Sequence, residues 1–259
     1  MRIVSLCPSL TELVHDLGAA DQVVGRTRFC IHPAPWVEGI ERVGGTKNPN
    51  LARIIALAPD LVLMNEEENR REDALALRAA GLAVHTSMPR TVRDVPQMVR
   101  DIAAAIARDA DGERIAADIE QRAARVACAA SARDPVSHAC CIWREPWMTV
   151  NDDTFISAML ELGGARNVFG DRGDRYPAFS LDELRLAAPD VVFLTSEPFP
   201  FGERHVAELV AATGWAPARF ALVDGELLSW HGSRTPAGID YAEAIVERVR
   251  AAPNDAAGS

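Results

Sequence analysis

Two stretches of the chain repeat the same order of residue types about 130 positions apart. "IIALAPDLVLMNEEE" begins at Ile54, and "LRLAAPDVVFLTSEP" begins at Leu184. In each copy, apolar residues at helical spacing precede a Pro-Asp pair, and an apolar run typical of a buried strand follows it. Neither a helix nor a strand requires this order twice. The repeat therefore predicts two similar lobes, and two lobes form a cleft.

Strand and helix patterns alternate on both sides of a purely helical stretch. Continuous apolar strands separated by helices indicate parallel sheets covered on both faces. We therefore predict an α/β protein with two Rossmann-like lobes, whose parallel sheets are joined by a single long helix, with a ligand cleft between the lobes. Residues 1–90 would form the N-terminal α/β lobe, residues 91–133 the helical segment with the backbone helix between lobes, and residues 134–259 the C-terminal α/β lobe.

Local signals place the ends of several helices. Ser9 is expected to cap the first helix, with Glu12 three residues later completing a capping box. Asn50 is expected to cap the helix that precedes Pro59. Gly18 and Gly81 are expected to end the helices before them.

The composition limits the class of protein. A chain of 259 residues with 48% hydrophobic content can bury the core of a soluble globular protein. A formal net charge of −10 argues against binding to nucleic acid. No apolar run reaches the ~18 residues of a membrane span, so we expect no insertion into a membrane.

The N-terminal sequence and the number of cysteines indicate in which cellular compartment the protein works. "MRIVSL" enters a strand directly, without the apolar stretch and the cleavage site of a signal peptide. The five cysteines, an odd number, suit a reducing compartment. We expect a cytoplasmic chain; the alternative is a periplasmic protein whose signal sequence has been removed.

Candidate binding residues follow the strands, because ligands of open parallel sheets bind beyond the carboxyl ends of the strands. Aromatic and arginine side chains in this position suit a large planar or anionic ligand. The simpler alternative for any single arginine is a solvated surface charge, and for Trp143 it is a place in the core. The candidates are Ser9, Arg28, Phe29, Lys47, Trp143, Arg144, Tyr176, Glu197, Trp230 and Arg234.

Motifs of enzymes and metal sites are absent from the sequence. It contains no GxSxG, GxGxxG, P-loop or HExxH pattern. Neither the histidines nor the cysteines have the spacing of metal ligands. Cys7 precedes a helix start, but no histidine base follows it, so we interpret it as structural. We therefore predict a protein that is not an enzyme, with no catalytic residue, no metal site and no covalently bound cofactor.

"RIVSLCPSLTELVHDLG", "GTKNPNLARIIALAPDLVL" and "AFSLDELRLAAPDVVFL" together resemble the helical-backbone substrate-binding proteins of ABC importers. The resemblance covers residues 2–250. It implies two α/β lobes joined by one long helix, and a non-catalytic protein that binds a metal chelate. Cobalamin or another corrinoid is the favoured ligand, and a ferric siderophore is the second.

The resemblance also assigns roles to single positions. In cobalamin binders of this family, aromatic side chains from both lobes hold the ligand, and Phe29, Tyr176 and Trp230 match three of them. Thr46 and Asn65 stand where those binders have tryptophan.

Family members dock on an ABC permease through one acidic residue on each lobe. Asp182 matches this position in the second lobe, whereas Ala52 stands there in the first. We expect a monomer that binds a small molecule and docks on such a permease. The alternative of another class is a cytoplasmic sensor, carrier or enzyme of corrinoid or iron metabolism that uses this fold without a permease.

Overall fold

A computed structural model describes residues 1–252 of the chain. Packing divides the chain into two compact units. The first unit comprises Met1–Pro89, Arg93–Glu120 and the short segment Trp230–Thr235. The second comprises Arg90–Val92, Gln121–Ser229 and the described residues from Pro236 onward.

The first unit is built on a parallel sheet of four strands. These strands are β1 (Ile3–Ser5), β2 (Val23–Arg26), β3 (Leu61–Asn65) and β4 (Val84–Ser87). They lie in the order β2-β1-β3-β4. The helices that follow are α1 (Pro8–Asp16), α2 (Leu51–Ala56), α3 (Arg71–Ala79) and α4 (Val95–Ala105). Aliphatic side chains such as Val4, Ile54, Val62 and Leu77 fill the core on one face of this sheet.

A long helix, α5 (Asp109–Ser131), follows α4. The boundary between the two units falls inside it, after Glu120. Its apolar residues Ile115, Ile119 and Val126, which recur at helical spacing, are all buried. The predicted joining helix is therefore confirmed.

The second unit has a parallel sheet of the same design. Its strands are β5 (Val136–Cys141), β6 (Ala165–Asn167), β7 (Val191–Thr195) and β8 (Phe220–Val223). They lie in the order β6-β5-β7-β8. Its helices are α6 (Phe155–Leu162), α7 (Leu181–Ala187), α8 (Glu203–Thr213), α9 (Gly225–Ser229) and α10 (Thr235–Ala251). The order repeats that of the first unit strand for strand, which confirms the predicted architecture of two α/β lobes with parallel sheets.

The repeated Ala-Pro-Asp sequence has the same structural role in both units. Ala58 and Ala188, each before the proline, adopt left-handed backbone angles with φ of 45° and 41°. The aspartate that follows the proline then accepts a hydrogen bond from a backbone N–H at the start of a neighbouring strand. Asp60 accepts from the N–H of Arg2 at 2.7 Å, and Asp190 accepts from that of Ser137 at 2.8 Å. The motif therefore ends a helix, reverses the chain and aligns two strands.

The predicted cap of the first helix is wrong. Helix α1 begins at Pro8, so Cys7 is its N-cap residue and Ser9 lies inside the first turn. Proline suits the first helical position because its fixed φ matches the helix and its missing N–H needs no partner there. Asn50 does cap α2, accepting from the N–H of Arg53 at 3.0 Å.

Within residues 1–252, no helix combines the length and the apolar character that crossing a lipid bilayer requires.

Candidate functional site

An exposed phenylalanine follows β2 in the first unit. Arg26, at the end of that strand, is buried and donates to the carbonyls of Val37 at 2.7 Å and Cys30 at 2.9 Å, which fixes the following loop. The loop leaves the Phe29 ring 47% exposed, with the Arg28 guanidinium 4.8 Å from its centroid. The predicted pair Arg28 and Phe29 thus forms a cationic and aromatic surface at the carboxyl end of the sheet.

Ser9 is buried in the first turn of α1. Its hydroxyl lies 3.3 Å from the sulfur of Cys7. Burial raises the pKa of the Cys7 thiol to about 12, which keeps it protonated and unreactive. The interpretation of Cys7 as a structural residue agrees with this environment.

Asn65, at the end of β3, is the centre of a polar network. Its amide nitrogen donates to the carbonyl of Ser87 and to Nε2 of His231, both at 3.0 Å. Its amide oxygen accepts from the backbone N–H groups of Glu67 and Glu68, at 2.9 and 3.2 Å. Burial lowers the pKa of His231 to about 4, so the imidazole is neutral and able to accept near pH 7. The network holds the loop after β3 to the neighbouring strand β4.

Trp230 and Arg234 belong to the first unit and lie against α1. Arg234 donates to both carboxylate oxygens of Glu12, at 2.8 and 2.7 Å. Its guanidinium lies 4.5 Å from the centroid of the Trp230 ring, which is only 8% exposed. The His32 ring meets the same indole edge-on at 5.6 Å. Glu12 thus holds Arg234 instead of completing the capping box that the sequence predicted.

Lys47 is exposed on the loop before α2, and it is the only lysine of the chain. Its ammonium donates to the backbone carbonyl of Glu67 at 2.5 Å. This contact places a cation beside the loop that the Asn65 network holds.

In the second unit, Trp143 and Arg144 follow β5. Trp143 is 41% exposed and meets the Phe199 ring edge-on at 5.7 Å. Arg144 lies over the Trp147 ring at 4.9 Å. It also pairs with Glu208, where its Nε reaches the carboxylate at 3.0 Å, and with Glu145 at 2.8 Å. Carboxylates of the second unit therefore neutralise the charge of Arg144.

Phe199 and Phe201, which were not among the predicted site residues, extend the aromatic surface. The Phe201 ring stacks on Trp147 with centroids 5.9 Å apart, and the rings of Phe199 and Phe201 are 4.7 Å apart. Both lie in "EPFPFG", directly after β7. Alternating phenylalanines at the carboxyl end of a strand were the signal that could have identified them.

The remaining predicted residues lie elsewhere in the second unit. Tyr176 is half-buried, with the Arg175 guanidinium 5.9 Å from its ring centroid. Glu197 accepts a hydrogen bond from the Ser229 hydroxyl at 3.1 Å. The side chain of Asp182 is 92% exposed and pairs with Arg185 one helical turn later.

Of the predicted ligand-binding residues, the structure brings Arg28 to Phe29 and Arg234 to Trp230 within the first unit. In the second unit, the aromatic neighbours of Trp143 and Arg144 are residues outside the predicted set. Within residues 1–252 the structure contains no group of three or more His, Cys, Asp or Glu side chains that could hold a metal ion.

Comparison with known proteins identifies relatives along nearly the whole chain. The vitamin B12-binding protein of Vibrio cholerae serotype O1 is 23% identical over 255 residues, covering 97% of this chain and 90% of that protein. The vitamin B12-binding protein of Pectobacterium carotovorum is 26% identical over 199 residues, covering 76% of this chain and 72% of that protein.

Solved structures share the fold. The periplasmic vitamin B12-binding protein of Vibrio cholerae superposes with a TM-score of 0.83 at 22% identity, covering 97% of this chain and 98% of that one. The periplasmic heme-binding protein of Roseiflexus sp. RS-1 superposes with a TM-score of 0.81 at 24% identity, covering 96% and 98%. The model of the periplasmic binding protein family matches residues 3–217. Because this match spans most of the chain, the chain belongs to the periplasmic binding protein family.

Proposed function

We propose that this chain is a non-catalytic binding protein for a metal-chelate small molecule, with cobalamin or another corrinoid as the favoured ligand. The vitamin B12-binding protein of Vibrio cholerae, which is similar along 97% of this chain, supports the corrinoid. Ferric siderophores and haem are the competing chelates. Haem is considered as a ligand because several proteins of similar structure are heme-binding proteins.

The observation that carries the proposal is an exposed aromatic ring at the carboxyl end of each sheet. Phe29 follows β2 and is 47% exposed, and Trp143 follows β5 and is 41% exposed. Within residues 1–252, eight large hydrophobic residues are exposed, and Phe29 and Trp143 are the two aromatic ones among them. An aromatic ring offers a flat, polarisable apolar face, so rings left in water at a ligand-binding edge suit the face of a large macrocycle.

The charges near these rings bear on the competing ligands. Arg28 lies over Phe29, and exposed Lys47 lies in the same unit. Arginine and lysine bind carboxylates well, so these cations favour a chelate with carboxylate substituents. Haem carries such groups, whereas most corrin side chains are neutral amides. This contrast makes haem the ligand to test against cobalamin.

A titration followed by visible absorbance tests the proposal, because cobalamin, haemin and ferric siderophores are coloured. We expect one of them to bind saturably, and Phe29→Ala and Trp143→Ala each to weaken binding at least tenfold, or about 1.4 kcal/mol. Trp215→Ala is the matched control. Trp215 packs on Phe220, the first residue of β8, and therefore lies at the amino end of that strand. The proposal fails if none of the three chelates binds, or if both edge variants bind as the control does.

The single lysine provides a second readout. An amine-reactive reagent has two targets in this chain, the N-terminus and Lys47. If the ligand covers the carboxyl edge of the first unit, saturating ligand should slow acylation of Lys47 and leave that of the N-terminus unchanged. Equal rates at Lys47 with and without ligand would place the ligand elsewhere.

Delivery to an ABC permease is part of the proposal, and exposed Asp182 is its docking candidate. We expect Asp182→Asn to leave ligand affinity unchanged while reducing ligand-dependent ATP hydrolysis by a reconstituted permease from the same genome. Asp174→Asn, another exposed acidic residue of the same unit, is the control. Loss of ligand affinity in Asp182→Asn would contradict a docking role.

A further inference from the structure

A cavity of about 450 Å³ lies in the first unit, between the end of β3, helix α3 and strand β4. Its floor includes Met64 and Ala74, and one side of it is formed by a row of residues along α3. None of the predicted ligand-binding residues lines it, although Asn65 and Glu66, which do line it, also lie at the carboxyl end of the sheet.

The two units differ in the side chains that pack beside these elements. In the second unit, β7 and α8 take the place of β3 and α3, and the core beside them includes Phe201 and Phe220, with Phe199 packed against them. The corresponding core of the first unit, as far as residues 1–252 describe it, is aliphatic and has no aromatic member. Among the described residues, the first unit therefore lacks the large aromatic side chains that the second unit has beside these elements.

The row along α3 consists of Arg71, Ala74, Leu75 and Arg78. These positions are i, i+3, i+4 and i+7, which share one face of a helix. At a rise of 1.5 Å per residue, the two arginines are anchored about 10 Å apart along the helix axis. An apolar strip of Ala74 and Leu75 separates them. The cavity wall is therefore cationic at both ends and hydrocarbon in the middle.

The charges of the two arginines are available to a ligand. Arg71 makes no ion pair or hydrogen bond within residues 1–252. Arg78 donates through one nitrogen to the neutral carbonyl of Val84 at 3.0 Å, which leaves its charge uncompensated. Arg70, also on the cavity wall, is neutralised by the buried Asp73 through two bonds of 2.9 Å. Glu66 is the one carboxylate among the lining residues.

We propose that this cavity is a second binding site, for a linear aliphatic dicarboxylate. One carboxylate pairs with Arg71, the other pairs with Arg78, and the methylene chain covers Ala74 and Leu75. Arginine binds carboxylates through two parallel N–H donors, so two such pairs fix both ends of the ligand. Arg71 and Arg78 are not among the residues proposed above for the chelate ligand.

Isothermal titration of the intact protein with suberate tests the proposal. We expect saturable binding of suberate, and binding at least tenfold weaker for octanoate, which has the same chain with one carboxylate, because one arginine pair is then lost. Suberamide, the neutral diamide, should not bind detectably. Equal binding of suberate and octanoate would overturn the two-ended site.

Matched variants locate the binding. Arg71→Gln and Arg78→Gln should each weaken suberate binding at least tenfold, whereas Arg93→Gln should not, because Arg93 is an exposed arginine away from the cavity. Ala74→Leu fills the floor without changing charge and should also reduce binding. The three cavity variants should bind the chelate ligand as wild type does. Absence of suberate binding, or equal binding by Arg71→Gln and Arg93→Gln, refutes the site.

Discussion

A buried histidine contributes to the response of the protein to acid. His138 lies in β5 with a fully buried side chain, 5.8 Å from the Phe193 ring. Neither of its ring nitrogens has a hydrogen-bond partner within residues 1–252. Burial, helped by the nearby Arg166, lowers its pKa from 6.5 to about 3. Between about pH 3 and pH 6.5, the imidazole is therefore neutral in the native protein and protonated in the unfolded chain.

The free energy of unfolding should consequently fall as the pH is lowered from about 6.5 towards about 3. In that range the unfolded state binds one more proton at His138, so the loss approaches about 1.4 kcal/mol per pH unit. His231 should add a similar loss between 6.5 and about 4. Above 6.5 neither residue should contribute a pH dependence.

Urea unfolding of wild type and His138→Leu at intervals from pH 4 to 8 measures this. The variant should show a shallower loss of stability below pH 6.5, because leucine cannot bind a proton. Met159→Leu, a buried substitution elsewhere in the second unit that removes no titratable group, is the control and should keep the wild-type slope. Parallel curves for wild type and His138→Leu would contradict the assignment.

At the scale of elements, the two Ala-Pro-Asp turns fix which strands become neighbours. Asp60 ties the start of β1 to the start of β3, and Asp190 ties the start of β5 to the start of β7 through both the N–H and the hydroxyl of Ser137, at 2.8 and 2.6 Å. A carboxylate at this place supplies the acceptor that the first N–H of the central strand needs.

Asp60→Ala and Asp190→Ala should each lower the free energy of unfolding by about 1–2 kcal/mol, since each removes a hydrogen bond to a charged acceptor. The effect of Asp190→Ala should be the larger, because two bonds are lost. Asp171→Ala is the control, an exposed aspartate of the second unit that should change stability by less than about 0.5 kcal/mol. Chemical denaturation measures all three, and an Asp190→Ala variant as stable as Asp171→Ala would contradict the proposed role.

At the scale of the whole molecule, α5 is the element shared by the two units. It runs for 23 residues, and its residues are divided between the units after Glu120. Its buried face includes Ile115 and Ile119 on one side of this boundary and Val126 on the other. A continuous helix couples the folding of segments that pack on its two halves.

Ala117→Pro should destabilise the protein by about 3 kcal/mol or more, because proline removes a hydrogen bond and clashes with the preceding turn. Ala117 is exposed, so no core packing is lost with its methyl group. Ala117→Gly keeps the helix hydrogen bond and should cost only about 1 kcal/mol. Thermal unfolding compares the two variants, and equal costs would show that the continuity of α5 does not matter for stability.

The sequence alone predicted the two parallel sheets, the repeat and the long helix. These features depend on residues close together in the chain: apolar runs for strands, helical spacing of isoleucines, and Pro-Asp turns that work locally. The exposed aromatic residues Phe29 and Trp143 could also be found in this way, since a residue that follows a parallel strand lies at its carboxyl end.

The tertiary structure decided what depends on distant partners. Glu12 and Arg234 are 222 positions apart, and their ion pair places Trp230 in the first unit although the residues on both sides of Trp230–Thr235 pack in the second. The cavity beside α3 likewise forms only where β3, α3 and β4 pack together. Periodicity and spacing determine which elements form; which side chains meet, and where space remains, is settled only when the elements pack.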